Sequence, residues 1–157
     1  MNLLEIRRLT VSFGGIRALQ RVDLEVVPEE ILAVIGPNGS GKTTLFNCIS
    51  GIYRPDDGTI SFEGESLLRL SPDFVAKRGI ARTFQNIRLF DNLSVIDNVK
   101  IGRHCRTRSL FWGAVVRNRF QRNEEKATTA SAKQFLDFVG LKGREEEIAS
   151  SMPYGDQ

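Results

Sequence analysis

Residues 36–44 read "GPNGSGKTT"; the apolar run "ILAVI" (31–35) precedes them and "LFNCIS" (45–50) follows. Gly36 through Thr43 fit the pattern G-x-x-x-x-G-K-[ST] in full, in the strand, loop, helix context that gives the pattern its meaning. The glycines let the backbone of residues 39–44 turn its N–H groups inward around an anion, and the start of the helix adds the positive end of its dipole. Lys42 has the reach for the β- and γ-phosphates of a nucleotide, and the Thr43 hydroxyl is placed to ligate Mg²⁺. The candidate cradle is therefore Gly36, Pro37, Asn38, Gly39, Ser40, Gly41, Lys42, Thr43 and Thr44, with a triphosphate as its natural guest. The loop alone does not separate an ATPase from a GTPase or a small-molecule kinase. The lack of an Asn-Lys-x-Asp guanine-reading motif speaks against the GTPase.

Working outward, residues 3–11 and the alternating "VDLEVV" at 22–27 read as strands, separated by turn signals at Gly14-Gly15. The continuous run 31–35 suits a buried parallel strand. After the loop, Leu45, Phe46, Cys48 and Ile49 recur at helical spacing until Gly51 stops the helix. "RPDDG" at 54–58 is a turn leading into a strand at 59–62. Ser71, Pro72 and Asp73 supply the N-cap, first helical residue and first-turn acid of a helix ending near Gly79, and 80–84 reads as another strand. Beyond it the pattern turns helical: Ser94 caps a helix over 95–101, and 124–139 is stopped by Gly140. The chain divides into a β-rich nucleotide-binding core, 1–85, and a helical portion, 86–157, with no internal repeat.

The composition, 41% hydrophobic and 26% charged over 157 residues, is that of one ordinary folded domain. A net charge of +3 permits an anionic ligand or surface without demanding one. No apolar run approaches the roughly 18 residues of a membrane span, and Arg7 and Arg8 sit where a signal peptide needs its apolar core. Cys48 and Cys105 have no metal-like spacing, so buried or incidental thiols in a reducing cytoplasm are expected.

Three further stretches accompany the loop: "VSFGGIRAL" (11–19), "GIARTFQNIRLFDNLSVIDNV" (79–99) and the closing "MPYGDQ" (152–157). In this order the set resembles the ATP-binding subunit of ABC transporters, and within it the branched-chain amino-acid importer group, along the whole chain. The resemblance implies an α/β fold: a P-loop NTPase core of the ABC nucleotide-binding type, with an antiparallel β subdomain and a partial helical subdomain. It implies ATP and Mg²⁺ as cofactors. Phe13 takes the place of the aromatic that stacks on adenine, although a core phenylalanine at a strand end remains the alternative. Gln85 matches the glutamine that touches Mg²⁺ or the attacking water, so the implied metal-side groups are Thr43 and Gln85. Residues 86–98, with Ile87, Leu89, Phe90, Leu93 and Val95, would form the groove for a permease's coupling helix.

By the same resemblance Met152, Pro153, Tyr154, Gly155, Asp156 and Gln157 align with the signature whose backbone N–H groups bind the γ-phosphate held by an opposite subunit. This sequence departs from the common pattern. Pro153 replaces a serine and brings neither a hydroxyl nor an N–H, Tyr154 replaces a glycine, and Asp156 replaces a glutamine. The contact would then rest on groups around Gly155. The implied partners are a second ATP-binding subunit, transmembrane permease subunits and, indirectly, a periplasmic solute-binding protein. They would place the subunit in the cytoplasm, peripheral on the inner face of the plasma membrane.

Hydrolysis in that family needs an apolar strand ending in Asp-Glu, and no such run occurs in these 157 residues. "QFLDFVG" offers Asp137, but Phe138 stands where the glutamate belongs, and Phe135, Leu136, Phe138 and Val139 read as helical core. His104, the only histidine, precedes the signature and reads as a solvated surface residue. We therefore expect a chain that binds MgATP, turns it over at background, stops inside its last motif, and leaves the 31–35 strand edge and one face of the following helix exposed. The alternatives are a short non-hydrolysing nucleotide-binding module and a soluble ABC ATPase acting on nucleic acid; the single phosphate loop counts against the latter. Arg103, Arg106, Arg108, Arg117, Arg119 and Arg122 form an acid-free stretch interleaved with Phe111, Trp112 and Phe120. A solvated face, a surface near anionic headgroups and a nucleic-acid contact all fit it, with nucleic acid the least favoured.

Overall fold

The computed structural model describes residues 2–84, 89–102 and 119–156, with backbone alone for 119–124. The chain forms two compact units, Met1–Arg82 and Thr83–Gln157.

In the first unit β1 (Leu4–Phe13), β2 (Ile16–Val26), β3 (Asp57–Phe62) and β4 (Glu65–Ser66) make an antiparallel sheet in the order β2-β1-β3-β4. β2 begins well before the expected residue 22. The reason is the Gly14-Gly15 turn: both glycines have positive φ (53° and 87°), the requirement of a two-residue hairpin, and the turn pairs Phe13 directly with Ile16. A bulge at Arg8 (φ 49°), where the β1–β2 register shifts between Ile6 and Leu9, reverses the alternation and brings Ile6 onto one face with Leu9 and Val11 of β1, Leu19 of β2 and Ile60 of β3, all buried. Burying a side chain of this size contributes on the order of 1.5–3 kcal/mol.

α1 (Lys42–Ile49) lays Leu45 and Cys48 onto this core. Burial pushes the Cys48 thiol up, which makes it inert. The helix stops at Ser50, and Gly51 follows with φ 74° as its spacing predicts. α2 (Pro72–Lys77) starts after Ser71 as expected, but the Ser71 hydroxyl bonds the Asp73 carboxylate rather than a backbone N–H, and that bond lowers the Asp73 carboxyl.

Two expected strands are not strands. Residues 31–35 and 80–84 pair neither with each other nor with the antiparallel sheet, and Ile31 and Ile35 are 99% and 91% exposed. A parallel strand exists only through hydrogen bonds to flanking strands, and among the described residues neither run finds a strand partner, although Val34 and Ile80 pack against the first core. The exposure anticipated for the 31–35 edge is present, as is that of one face of α1, where Phe46 is half-exposed.

In the second unit α3 (Val95–Gly102) and α4 (Arg119–Phe138) pack around Val95, Ile96, Ala132, Leu136 and Met152, with two short 3₁₀ turns at Ala149–Ser151 and Tyr154–Asp156. Ser94 caps α3 as its position predicts, its hydroxyl accepting from the Asp97 N–H at 3.2 Å. The N–H groups of Val95 and Ile96 donate to the carbonyls of Glu147 and Glu145, both at 2.9 Å, and the Ala149 N–H donates to Leu93 at 3.0 Å. The segment before the closing motif is thereby tied to the start of α3. The expected core in "QFLDFV" needs correcting: Leu136 is buried, while Phe135, Phe138 and Val139 are exposed. α4 offers one stripe to its partners, Ala132 and Leu136 one turn apart, and the other three apolar residues fall off it. No helix among the described residues is long and apolar enough to cross a membrane.

Candidate nucleotide-binding site

The glycine-rich loop lies between the 31–35 run and α1. Gly39 and Gly41 take φ 83° and 89°, left-handed values that a residue with a Cβ rarely adopts. At Gly41 the reason is also steric: a Cβ there would lie 2.5 Å from the Ala18 carbonyl oxygen and 2.8 Å from Leu19 Cδ2, so the loop is seated directly on β2. Gly41 is the N-cap of α1 and supplies no side-chain cap. The first bond of the helix ladder runs from the Leu45 N–H to the Gly41 carbonyl at 2.9 Å, which leaves the amides of Lys42, Thr43 and Thr44 ahead of the ladder at the positive end of the helix.

The Lys42 ammonium lies inside the loop's curve, donating to the carbonyls of Gly36 and Pro37, both at 2.7 Å, and to Ser40 Oγ at 3.3 Å. Thr43 is exposed one residue along. A cation and a fan of uncapped amides on glycine-shaped backbone form a donor set that fits the phosphates of a nucleotide. Lys42, Thr43, Thr44 and the loop backbone would hold its phosphates, and the Thr43 hydroxyl would face its Mg²⁺.

Phe13 ends β1 rather than lying on the turn, and it is 46% exposed, so it is not a core residue. Its ring meets Tyr53 edge-on, centroids 5.2 Å apart. Tyr53 was missed by the sequence reading, and nothing local in the sequence marks it, because the pair is joined only by the fold. Gln85 lies outside the described residues, as do residues 86–88 and 103–118, which include His104, Cys105 and Arg103, Arg106, Arg108 and Arg117 of the arginine stretch. Arg82 donates from Nη1 to Asn47 Oδ1 at 2.6 Å and its guanidinium carbon lies 5.9 Å from the Phe46 ring centre.

The closing motif is split by its surroundings. Met152 is buried in the second core, whereas Pro153, Tyr154 and Gly155 are exposed; Gln157 is outside the described residues. The turn is closed by the Asp156 N–H donating to the Pro153 carbonyl at 2.9 Å. Arg144, also missed from sequence, donates from Nη1 to Asp156 Oδ2 at 2.7 Å.

The ABC transporter family model matches residues 19–157. The chain belongs to the ABC transporter family. Within it, the chain is 40% identical to the high-affinity branched-chain amino acid transport ATP-binding protein LivG of Escherichia coli K12, over 99% of this chain and 61% of LivG. It is 35% identical to the corresponding protein BraF of Pseudomonas aeruginosa, again over 99% of this chain and 61% of the relative. The ADP conformation of MJ1267, an ATP-binding cassette of an ABC transporter, superposes with a TM-score of 0.79 at 29% identity, over 99% of this chain and 61% of that one. The fold is therefore that of the ATP-binding cassette, a P-loop NTPase, and the chain spans about three-fifths of the length of these relatives.

Proposed function

We propose that this ABC chain is part of the ATP-binding subunit of an importer for branched-chain amino acids. The observation that carries the reading is the 40% identity with LivG across 99% of the chain, the phosphate loop included. In the reading, Phe13 with Tyr53 offers an aromatic surface to the adenine, and Lys42, the loop amides and Thr43 hold the phosphates. Gln85 serves as the second metal-side group, and residues 152–157 meet the nucleotide of a second ATP-binding subunit. Bound MgATP would supply an activated terminal phosphoryl group and the metal charge that stabilises its transfer. Residues 1–157 contain no apolar run ending in Asp-Glu, so taken alone they bind the nucleotide and hydrolyse it at background. ABC ATPase subunits of transporters work as dimers with membrane permeases, and this subunit would sit beneath its permease on the cytoplasmic side. A periplasmic binding protein would deliver the solute.

The test is solute uptake. Cells lacking the gene product should lose uptake of leucine, isoleucine and valine, and regain it from the wild-type gene but not from Lys42→Ala. Unchanged uptake in the deletion strain would remove the solute class, and rescue by Lys42→Ala would remove the nucleotide role. For the 157-residue piece, turnover abolished by the same substitution would show that it holds a catalytic carboxylate of its own.

A further inference from the structure

The departure at Asp156 raises a problem that the fold answers. If residues 152–157 meet a polyphosphate across a dimer, a carboxylate at this position places like charge beside the ligand. A lone aspartate there would weaken the contact it is meant to make.

Arg144 stands against it. The guanidinium has five donors in a rigid fork. Nε and Nη2 take the two oxygens of Glu147, both at 2.8 Å, in the bidentate geometry that fixes the plane of the group. Nη1 is then left at a set position, and Asp156 Oδ2 lies 2.7 Å from it. Glu147 is itself held, since its carbonyl accepts from Val95 at the start of α3. The turn is thus pinned at both ends, by Met152 in the core and by Arg144 at Asp156, while Gly155 between them is exposed with nothing within 4 Å of where a Cβ would stand.

We infer that Arg144 is a positioning residue: shared with Glu147, it offsets part of the Asp156 charge, draws that carboxylate back onto its own unit, and leaves the backbone around Gly155 as the face offered to the partner's nucleotide. This rests on the reading of 152–157 as a contact made across a dimer. Asp156 and Arg144 then form one substitution in two places, the carboxylate tolerated because the guanidinium is there.

The test uses the complete gene product and a non-hydrolysable ATP analogue with Mg²⁺, with association followed by sedimentation velocity. Arg144→Ala should weaken analogue-driven association about fivefold, the scale of a partly exposed ion pair. The double variant Arg144→Ala/Asp156→Gln should return to within about twofold of Asp156→Gln alone, because a neutral side chain needs no guanidinium. A purely structural Arg144 predicts the opposite, a defect that persists in the double variant, and that result would overturn the inference, as would wild-type association in Arg144→Ala. Arg144→Gln replaces Arg144→Ala should the latter fail to fold. Gly155→Glu, which the fold has room for, separates the two levels. It should abolish association, and wild-type association in it would overturn the dimer reading itself, whatever Arg144 does.

Discussion

Two apolar stretches lie within 30 residues of each other and meet opposite fates. Ile6, Leu9 and Val11 of β1 are sealed, at 0–2% exposure, whereas Ile31 and Ile35 are almost wholly bare. Their hydrophobicity is similar; their neighbours are not. β1 is flanked by β2, reached through a two-residue turn, and by β3, so both of its edges are paired. The 31–35 run has the continuous apolar pattern of a strand buried on both faces, and such strands take their partners from distant sequence. An apolar pattern states what a segment needs, and the rest of the chain decides whether the need is met.

The largest expected effect tests that difference directly. Ile6→Ala should lower the unfolding free energy by about 2–5 kcal/mol, the range for deleting a sealed aliphatic side chain, whereas Ile35→Ser should change it by less than about 0.5 kcal/mol and raise solubility. Chemical denaturation of residues 1–157 with both variants measures it. A loss at Ile35 equal to that at Ile6 would mean that the run is covered in solution and that the contrast is not real.

This contrast also explains what was legible in the sequence. The Gly14-Gly15 turn, the helix stops at Gly51 and Gly140, the start of α2 after Ser71 and the cap at Ser94 are local, and each is readable because its chemistry lies within a few residues, whereas the early start of β2 and the Ser71–Asp73 bond are not. The strand at 31–35 was misread for the same reason turned around: its pattern is local but its formation is not. Phe135 and Phe138 were over-read as core because an apolar cluster on a helix does not say which stripe is used. Tyr53 and Arg144 were invisible, since each acts on a residue far from it in sequence and has no motif of its own.

A middle-sized effect lies at the seam between the two stretches. Gly41 ends the phosphate loop that follows the bare run and rests against Ala18 of the sealed sheet. Gly41→Ala should cost about 1–3 kcal/mol, from a left-handed backbone and a Cβ driven onto the Ala18 carbonyl. Nucleotide affinity, read by titration with a fluorescent ATP analogue, should fall with it. Wild-type stability together with wild-type affinity would show that the loop is not seated on β2 and that the two stretches are independent.

The smallest effect belongs to the second unit, where charge rather than a strand partner makes the closing contact. The Arg144 side chain lowers the Glu147 carboxyl through its hydrogen bond and charge, and the same guanidinium faces Asp156. A group whose folded pKa is lowered adds stability above its unfolded value, about 4.3 for glutamate, and loses it as the pH falls through the folded value. The stability difference between the wild type and Glu147→Gln should therefore be level from pH 7 to about 5 and shrink toward zero below about 4. The sheet core of the first unit has no buried polar side chain among the described residues, so Ile6→Ala should keep its full cost over the same range. A Glu147→Gln difference that grew toward acid would reverse the sign of the linkage. One that stayed flat would mean that Glu147 acts through packing, and the Arg144 fork would then not be what holds the Asp156 turn in place.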